Sequence, residues 1–377
     1  MANLPHELVV EILTRLPAKS LIKFRCICKQ WCKLTYDLTF TKLHLSRSIE
    51  RHDVNLLANL TEYYAKEILV GSDITLFRYS NSHIYSVEGS LVCLLNPCTN
   101  EYKIVTFENV SSFQSNAVYG FGYDHTSEGE DYKLVCFVNS EVSVYSLNDV
   151  SCAKFSNVTY RVWEDSGIFL NGAVHWIGND REKNLLFRVI SYNIVDKVFH
   201  EFLGPVSVEE SGMKLGVLGG ELCVLCCYYH DDIINLWVMK NYGLSDSWMK
   251  LFSMEKSVLN SFPDPSSFIS HRHINPRPLC FTKSGEVLLR ERGKLVLYDP
   301  ERKIARTPNI GFISTWHEMD IVIHFASLVP LNSSSGTSKS INRVFAFNRS
   351  QVCSGRESRI CLHFKDLNFQ SIAAPDW

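Results

Sequence analysis

Residues 91–105 read LVCLLNPCTNEYKIV: an apolar run, a polar turn opened by Asn-Pro, and a second run. Each run has the length of a β-strand, and Asn-Pro is a turn signal. The same unit recurs as VSVYSLNDVSCAKF (142–155), VISYNIVDKVFHEF (189–202), INLWVMKNYGLSDSWMKLF (234–252) and LVLYDPERKIART (295–307). Leu95, Tyr145, Tyr192, Trp237 and Tyr298 hold the equivalent position in each unit. Their separations run from about 45 to about 60 residues, close to the period of propeller blades. Hairpin-like stretches precede two of the units, GIFLNGAVHWIG (167–178) and KLGVLGGELCVLCCY (214–228). A small sheet cannot cover both of its faces alone, and closure into a ring covers them. The expected fold is therefore mainly β: a propeller of about six or seven blades, with an array of β-sandwiches as the alternative. The pattern breaks near 310–330 and at NSSSGTSKS (332–340), and RVFAFN and RICLHF supply late strands.

The first 45 residues have a different period. Leu8, Val9, Ile12, Leu13 and Leu16 fall on one helix face. Pro5 sits where a first-turn proline is tolerated, and Pro17 stops the helix. A second short helix places Leu21, Phe24 and Cys28 together. A third begins near Ile27 and aligns Cys28, Trp31 and Cys32. Leu38, Phe40, Leu43 and Leu45 continue the apolar supply. So short a segment buries little surface by itself. It carries more large apolar residues than one small core can hide, so a second surface should cover some of them.

Composition narrows the function classes. The formal net charge is −2, with none of the strong basic excess that holds a protein to phosphates. Residues 1–50 carry eight Lys/Arg against four Asp/Glu, a local excess that suits an acidic protein partner. A helix-turn-helix reading of these helices lacks a basic recognition face, so no nucleic acid is expected. The start MANLPHELVV has no basic n-region or apolar core, and no apolar run approaches the roughly 20 residues of a membrane span. No membrane partner is expected. Thirteen cysteines without a secretion signal read as reduced thiols. Neither Cys26, Cys28 and Cys32 nor Cys223, Cys226 and Cys227 show paired metal-knuckle spacing, so both clusters read as buried packing, with no metal or cofactor. Strand alternation sends Cys223 and Cys227 to one face and Cys226 to the other.

Histidines at 271 and 273, and the group His230, Asp231 and Asp232, read as solvated loop residues. The latter group is the only motivation for a propeller hydrolase or lyase. Nucleophile-elbow, phosphate-loop, H-E-x-x-H and EF-hand patterns are missing, and GFG at 120–122 lacks the rest of a phosphate loop. No catalytic residue is assigned. Trp176, Trp237 and Trp248 read as blade core. Tyr228, Tyr229, Phe268 and Trp316 are candidate partner anchors.

Leu4-Pro5, Glu11–Leu13, Arg15–Leu21, Phe24–Trp31, Phe40 and His44-Leu45 together resemble the F-box, the adaptor-binding motif of cullin-RING ubiquitin ligases. Downstream, LLNPCTNEYKIV, YGFGYDHTSEGEDYKLV, VSVYSL, GAVHWI and LWVMKNYGLSDSWMKLF resemble the type-1 F-box-associated interaction domain of plant F-box proteins, a family that includes S-locus members. The resemblance implies a three-helix F-box over 1–45 and a kelch-like propeller over 46–377. It implies binding to a Skp-family adaptor, and through it to cullin and a RING subunit. Leu4, Pro5, Leu8, Ile12, Leu16, Pro17, Leu21 and Trp31 would form or support that surface. Lys23, Arg25 and Lys29 would meet acidic groups of the adaptor. The propeller would hold a protein substrate for ubiquitination and proteasomal degradation, at residues the sequence does not name. Such a chain raises effective concentration and supplies no nucleophile. It would act in the cytoplasm, the nucleus or both. General turnover, including that of immune receptors, and recognition of pistil ribonucleases in self-incompatibility are the two pathways implied.

Overall fold

A computed structural model describes residues 5–51, 54–59, 65–71, 74–79, 90–96, 98–99, 101–107, 117–124, 131–148, 151–163, 166–180, 187–206, 211–228, 231–260, 276–282, 284–291, 294–308, 320–329 and 372–373. Four helices open the chain: α1 (His6–Leu13), α2 (Ala18–Phe24), α3 (Lys29–Leu34) and α4 (Leu38–Glu50). The fourth is one more than the sequence predicts. Asp37 caps it by accepting the Phe40 N–H at 2.9 Å, which satisfies one of the free donors at a helix start. Pro17 is the N-cap residue of α2, so it opens a helix as well as following one. Cys28 lies outside α2: it is the N-cap of α3, where its Sγ accepts the Trp31 N–H at 3.5 Å.

Strand β1 (Val54–Asn59) follows, and then consecutive strands pair antiparallel into sheets. The first sheet is β2 (Ala65–Gly71), β3 (Ile74–Tyr79), β4 (Ser90–Asn96) and β5 (Glu101–Phe107). The second is β6 (Val118–Asp124), β7 (Asp131–Val138), β8 (Glu141–Ser146) and β9 (Cys152–Phe155). In the third, β10 (Tyr160–Val162) and β11 (Ile168–Leu170) both pair with β12 (Ala173–Asp180), which continues to β13 (Arg188–Asn193) and β14 (Phe199–Leu203). The fourth is β15 (Ser211–Leu218), β16 (Glu221–Tyr228), β17 (Ile233–Met239) and β18 (Trp248–Glu255). Helix α5 (Lys256–Asn260) leads on to the fifth: β19 (Arg277–Phe281), β20 (Val287–Glu291), β21 (Lys294–Asp299) and β22 (Ile304–Arg306). The sixth is three-stranded: β23 (Asp320–Phe325) and β24 (Ile372–Ala373) flank β1 from the other end of the chain.

These six sheets close a ring. Neighbouring sheets touch in turn, β2 with β6, β6 with β11, β11 with β15, β15 with β19, β19 with β23, and β23 with β2. Pairing β1 with β23 joins strands far apart in sequence and removes the free edge that an open array would leave. The sequence anchors Leu95, Tyr145, Tyr192, Trp237 and Tyr298 all lie on the third strand of their sheet.

The same chemistry turns three of those third strands into their fourth. The Oδ1 of Asn96 accepts the N–H groups of Cys98 (2.9 Å) and Thr99 (3.2 Å). Asn193 does this for Val195 and Asp196, and Asp299 for Glu301 and Arg302. A short side-chain carbonyl or carboxylate mimics the missing backbone acceptor of a turn, which is why Asn or Asp recurs there.

Packing between blades explains the glycines of GFG. A Cβ on Gly120 would lie 2.3 Å from Val174 Cγ1 and 2.4 Å from Trp176, and one on Gly122 would lie 2.3 Å from Ile194. Trp176 fills the space that Gly120 leaves, is fully buried, and donates its indole N–H to the Tyr119 carbonyl at 3.1 Å. The other two tryptophans are not its equivalents. Trp176 is on a second strand, Trp237 on a third and Trp248 at the start of a fourth, and both latter rings are only half-buried. Cys223 and Cys227 pack into the core shared with the fifth sheet, while Cys226 faces the core shared with the third. Alternation along β16 therefore holds as the sequence predicts.

Candidate functional site

Four described residues of the helical module lie at the centre of a small core. Leu13, Ala18, Leu21 and Phe40 are each at most 2% exposed. Around them pack Val9, Val10, Leu16, Ile22, Phe24, Trp31 and Leu34. The Phe24 and Trp31 rings pack tilted at 47°, with centroids 5.4 Å apart. Electrostatics tie α1 to α4: Glu11 meets Arg15 at 2.6 Å and Arg47 at 2.5 Å. Those hydrogen bonds, Arg47 first, hold the Glu11 carboxyl below its ordinary range. Arg47 also donates to the Thr14 hydroxyl. His44 is buried, with Nε2 2.8 Å from the Leu16 carbonyl.

A core that small leaves apolar surface over. Leu8 is 49% exposed and Ile12 is 50% exposed, one turn apart on α1. Between α2 and α3, Ile27 is 60% exposed, and Tyr36 at the end of α3 is 53% exposed. Leaving about half of a leucine or isoleucine side chain in water forgoes roughly 1 kcal/mol of burial per side chain. These residues form a candidate interaction surface.

The residues expected to bind an adaptor separate into groups. Leu8, Ile12, Pro5, Pro17, Lys23 and Lys29 are exposed. Leu16 and Trp31 are half-buried at the rim of the core. Leu21 is fully buried, so its contribution is to hold α2 in place from beneath. Arg25 is half-buried, donates Nε to the Thr35 hydroxyl at 3.2 Å, and lies 4.1 Å over the Tyr36 ring. Its charge is thus engaged within the module. Leu4 lies outside the described residues. Ile27 and Tyr36 belong with the exposed group and escape a helical-period reading, because both sit beyond helix ends.

The first cysteine cluster departs from its expected burial. Cys26 and Cys28 are exposed and Cys32 is half-buried, because the α2–α3 connection runs over the surface. The second cluster is buried, and burial pushes the Cys226 and Cys227 thiols up to about 12. Among the described residues no group of three or more His, Cys, Asp or Glu is arranged to hold a metal ion. Asp231 and Asp232 are exposed between β16 and β17, whereas His230, His271, His273, Tyr229, Phe268 and Trp316 lie outside the described residues. Among the described residues no helix is long and apolar enough to cross a membrane.

In the propeller, Tyr242 reaches from the β17–β18 turn to His175 in the neighbouring blade. Its hydroxyl lies 2.7 Å from His175 Nε2, and Nδ1 of the same ring lies 3.1 Å from the Ile168 carbonyl. A carbonyl only accepts, so Nδ1 carries the proton and Nε2 accepts from the tyrosine. Burial pushes the His175 pKa down to about 4.

A helical module with unsatisfied apolar surface, set on a ring of sheets, defines a modular interaction protein. Residues 1–43 match the F-box domain and residues 62–307 match the F-box associated beta propeller domain. The second match covers more than half of the chain, and the chain belongs to that family. Among its relatives in Arabidopsis thaliana is F-box protein CPR1, 26% identical across 97% of both chains. An F-box/kelch-repeat protein is 28% identical over 79% of this chain and 88% of its own. F-box/WD-40 repeat-containing protein 1 is 30% identical over 68% of this chain and 70% of its own. A solved luciferin-regenerating enzyme aligns over 67% of this chain and 80% of its own at 9% identity, with a TM-score of 0.37, too distant to carry an argument.

Proposed function

We propose that this F-box protein is the substrate-recognition subunit of a Skp-cullin-F-box ubiquitin ligase. The observation that carries the reading is the exposed pair Leu8 and Ile12, one turn apart on α1 over the packed core of Leu13, Ala18, Leu21 and Phe40. An F-box implies a Skp-family adaptor, and a module that exposes Leu8 and Ile12 together with Lys23 and Lys29 suits a partner with an apolar groove and acidic groups. The propeller would then hold a protein substrate near the charged conjugating enzyme. Its contribution to rate is proximity, and this chain would provide no nucleophile. We adopt general protein turnover as the pathway, since no observation among the described residues favours recognition of pistil ribonucleases.

Co-purification with a Skp-family adaptor tests the reading. The wild-type chain should capture adaptor, and Leu16→Ala combined with Pro17→Ala should not. Absence of capture by the wild type, or equal capture by the variant, would end it.

A further inference from the structure

The core of the F-box includes a residue from the other end of the chain. Leu328, 1% exposed, packs with Leu13, Ala18, Leu21 and Phe40, and Ala326 and Cys98 border the same cluster. Leu328 lies just beyond β23, the strand that closes the ring with β1. Cys98 lies in the β4–β5 turn of the first blade and is buried enough that its thiol is pushed up to about 11. Two parts of the propeller thus complete a helical core that cannot bury itself.

The side chain of Asn96 holds the segment carrying Leu328. Asn96 is fully buried, and its Nδ2 donates to the carbonyls of Ser327 and Val329, each at 3.1 Å. Its Oδ1 takes the Cys98 and Thr99 N–H groups. Both amide hydrogens and both oxygen lone pairs of Asn96 are therefore used. The equivalent residue of the fifth blade is Asp299, which makes the same two turn bonds through its carboxylate. The turn alone does not require an amide; the grip on Ser327 and Val329 does. Val329 N–H adds a bond to the Ser327 hydroxyl at 3.0 Å, which fixes the bend that points Leu328 at the helices.

We propose that ring closure controls the F-box: Leu328 completes its core, and Asn96 is the positioning residue that holds Leu328 there. The partner in this inference is the adaptor of the proposed function, so the inference deepens that reading. The F-box and propeller behave as one body, and only a chain with a closed ring presents a docking-competent F-box.

The test compares Asn96→Asp with Asn193→Asp in the full chain. Both keep the turn acceptor, but only the first removes the donors to Ser327 and Val329 and sets a carboxylate against two carbonyls. Hydrogen exchange of α1 and α2 in the free chain is the first readout, with β16 as the internal reference. Asn96→Asp should raise exchange in α1 and α2 by about tenfold or more, with β16 and the Asn193→Asp chain unchanged, since a buried unpaired polar group costs this order of free energy. Adaptor affinity is the second readout and should fall in parallel. Leu328→Met, of similar volume, should retain both, while Leu328→Ser should lose both. Unchanged exchange in α1 and α2 for Asn96→Asp and Leu328→Ser would overturn the inference. Failure of the wild-type chain to bind adaptor would instead count against the proposed function, and the exchange experiment would still decide the inference.

Discussion

The two ends of β12 and α1 show what each region is built for. All eight residues of β12 are buried, including His175, Asn179 and Asp180. Of the eight residues of α1 only Leu13 is buried. The strand lies between blades and has neighbours on both faces. The helix has a neighbour on one side and presents leucine and isoleucine on another. His175 in the propeller interior is accommodated by hydrogen bonds to Ile168 and Tyr242, while Leu8 and Ile12 on the helix stand half in water. One region covers its apolar surface within the chain; the other leaves apolar surface open.

The largest contrast should come from removing an interior ring. Trp176→Ala takes away the side chain that fills the Gly120 notch, and should cost about 3–5 kcal/mol in denaturant unfolding. Leu8→Ala, at the exposed face of α1, should change unfolding by no more than about 0.5 kcal/mol.

Acid should separate the regions next. Burial depresses His175 and His324 to about 4 from an ordinary 6.5. The unfolded chain then binds more protons than the folded one between these values, so stability rises with pH there. Both contributions are complete above 6.5, decline as pH falls, and level off below about 4. Each histidine contributes at most about 3 kcal/mol at neutral pH. Midpoints of denaturation measured from pH 7 to pH 4 should fall steadily, and a flat profile would speak against neutral buried rings. His175→Gln should reduce the slope.

A smaller effect is expected at the strap between the third and fourth blades. Tyr242→Phe removes the hydroxyl that donates to His175 Nε2, and should cost about 1 kcal/mol. Smallest in energy, but simple to observe, is the split between thiols. In the folded chain a maleimide should label Cys26 and Cys28, whereas Cys223, Cys226 and Cys227 should react only after unfolding. Early labelling of the β16 thiols would mean that the blade interior opens readily.

Much of the architecture was legible because it is local. Strand period and turn residues placed Leu95, Tyr145, Tyr192, Trp237 and Tyr298 on equivalent strands, and alternation assigned each cysteine of β16 to its face. Features that depend on distant residues were not. The pairing of β1 with β23 and the entry of Leu328 into the F-box core leave no trace in local periodicity. Helical spacing grouped Leu8 and Ile12 with Leu13, yet only contact with other elements decides which of them is covered. Cys28 reads as a packing residue because helical spacing aligns it with Trp31 and Cys32; its cap geometry appears only in three dimensions. Asn96 was visible as a turn residue, but its second role needs the position of Ser327 and Val329.

Affinity of the purified full chain for a Skp-family adaptor tests the central claim most directly, with wild type set beside the double variant Leu8→Asp, Ile12→Asp. The wild type should bind one adaptor per chain. The variant should weaken binding by at least about a hundredfold, as expected for charging the centre of an apolar interface. Its melting temperature should stay within about 2 °C, because both side chains are already half exposed in the free chain. A variant that bound as tightly as the wild type, or a wild type that did not bind, would contradict the account.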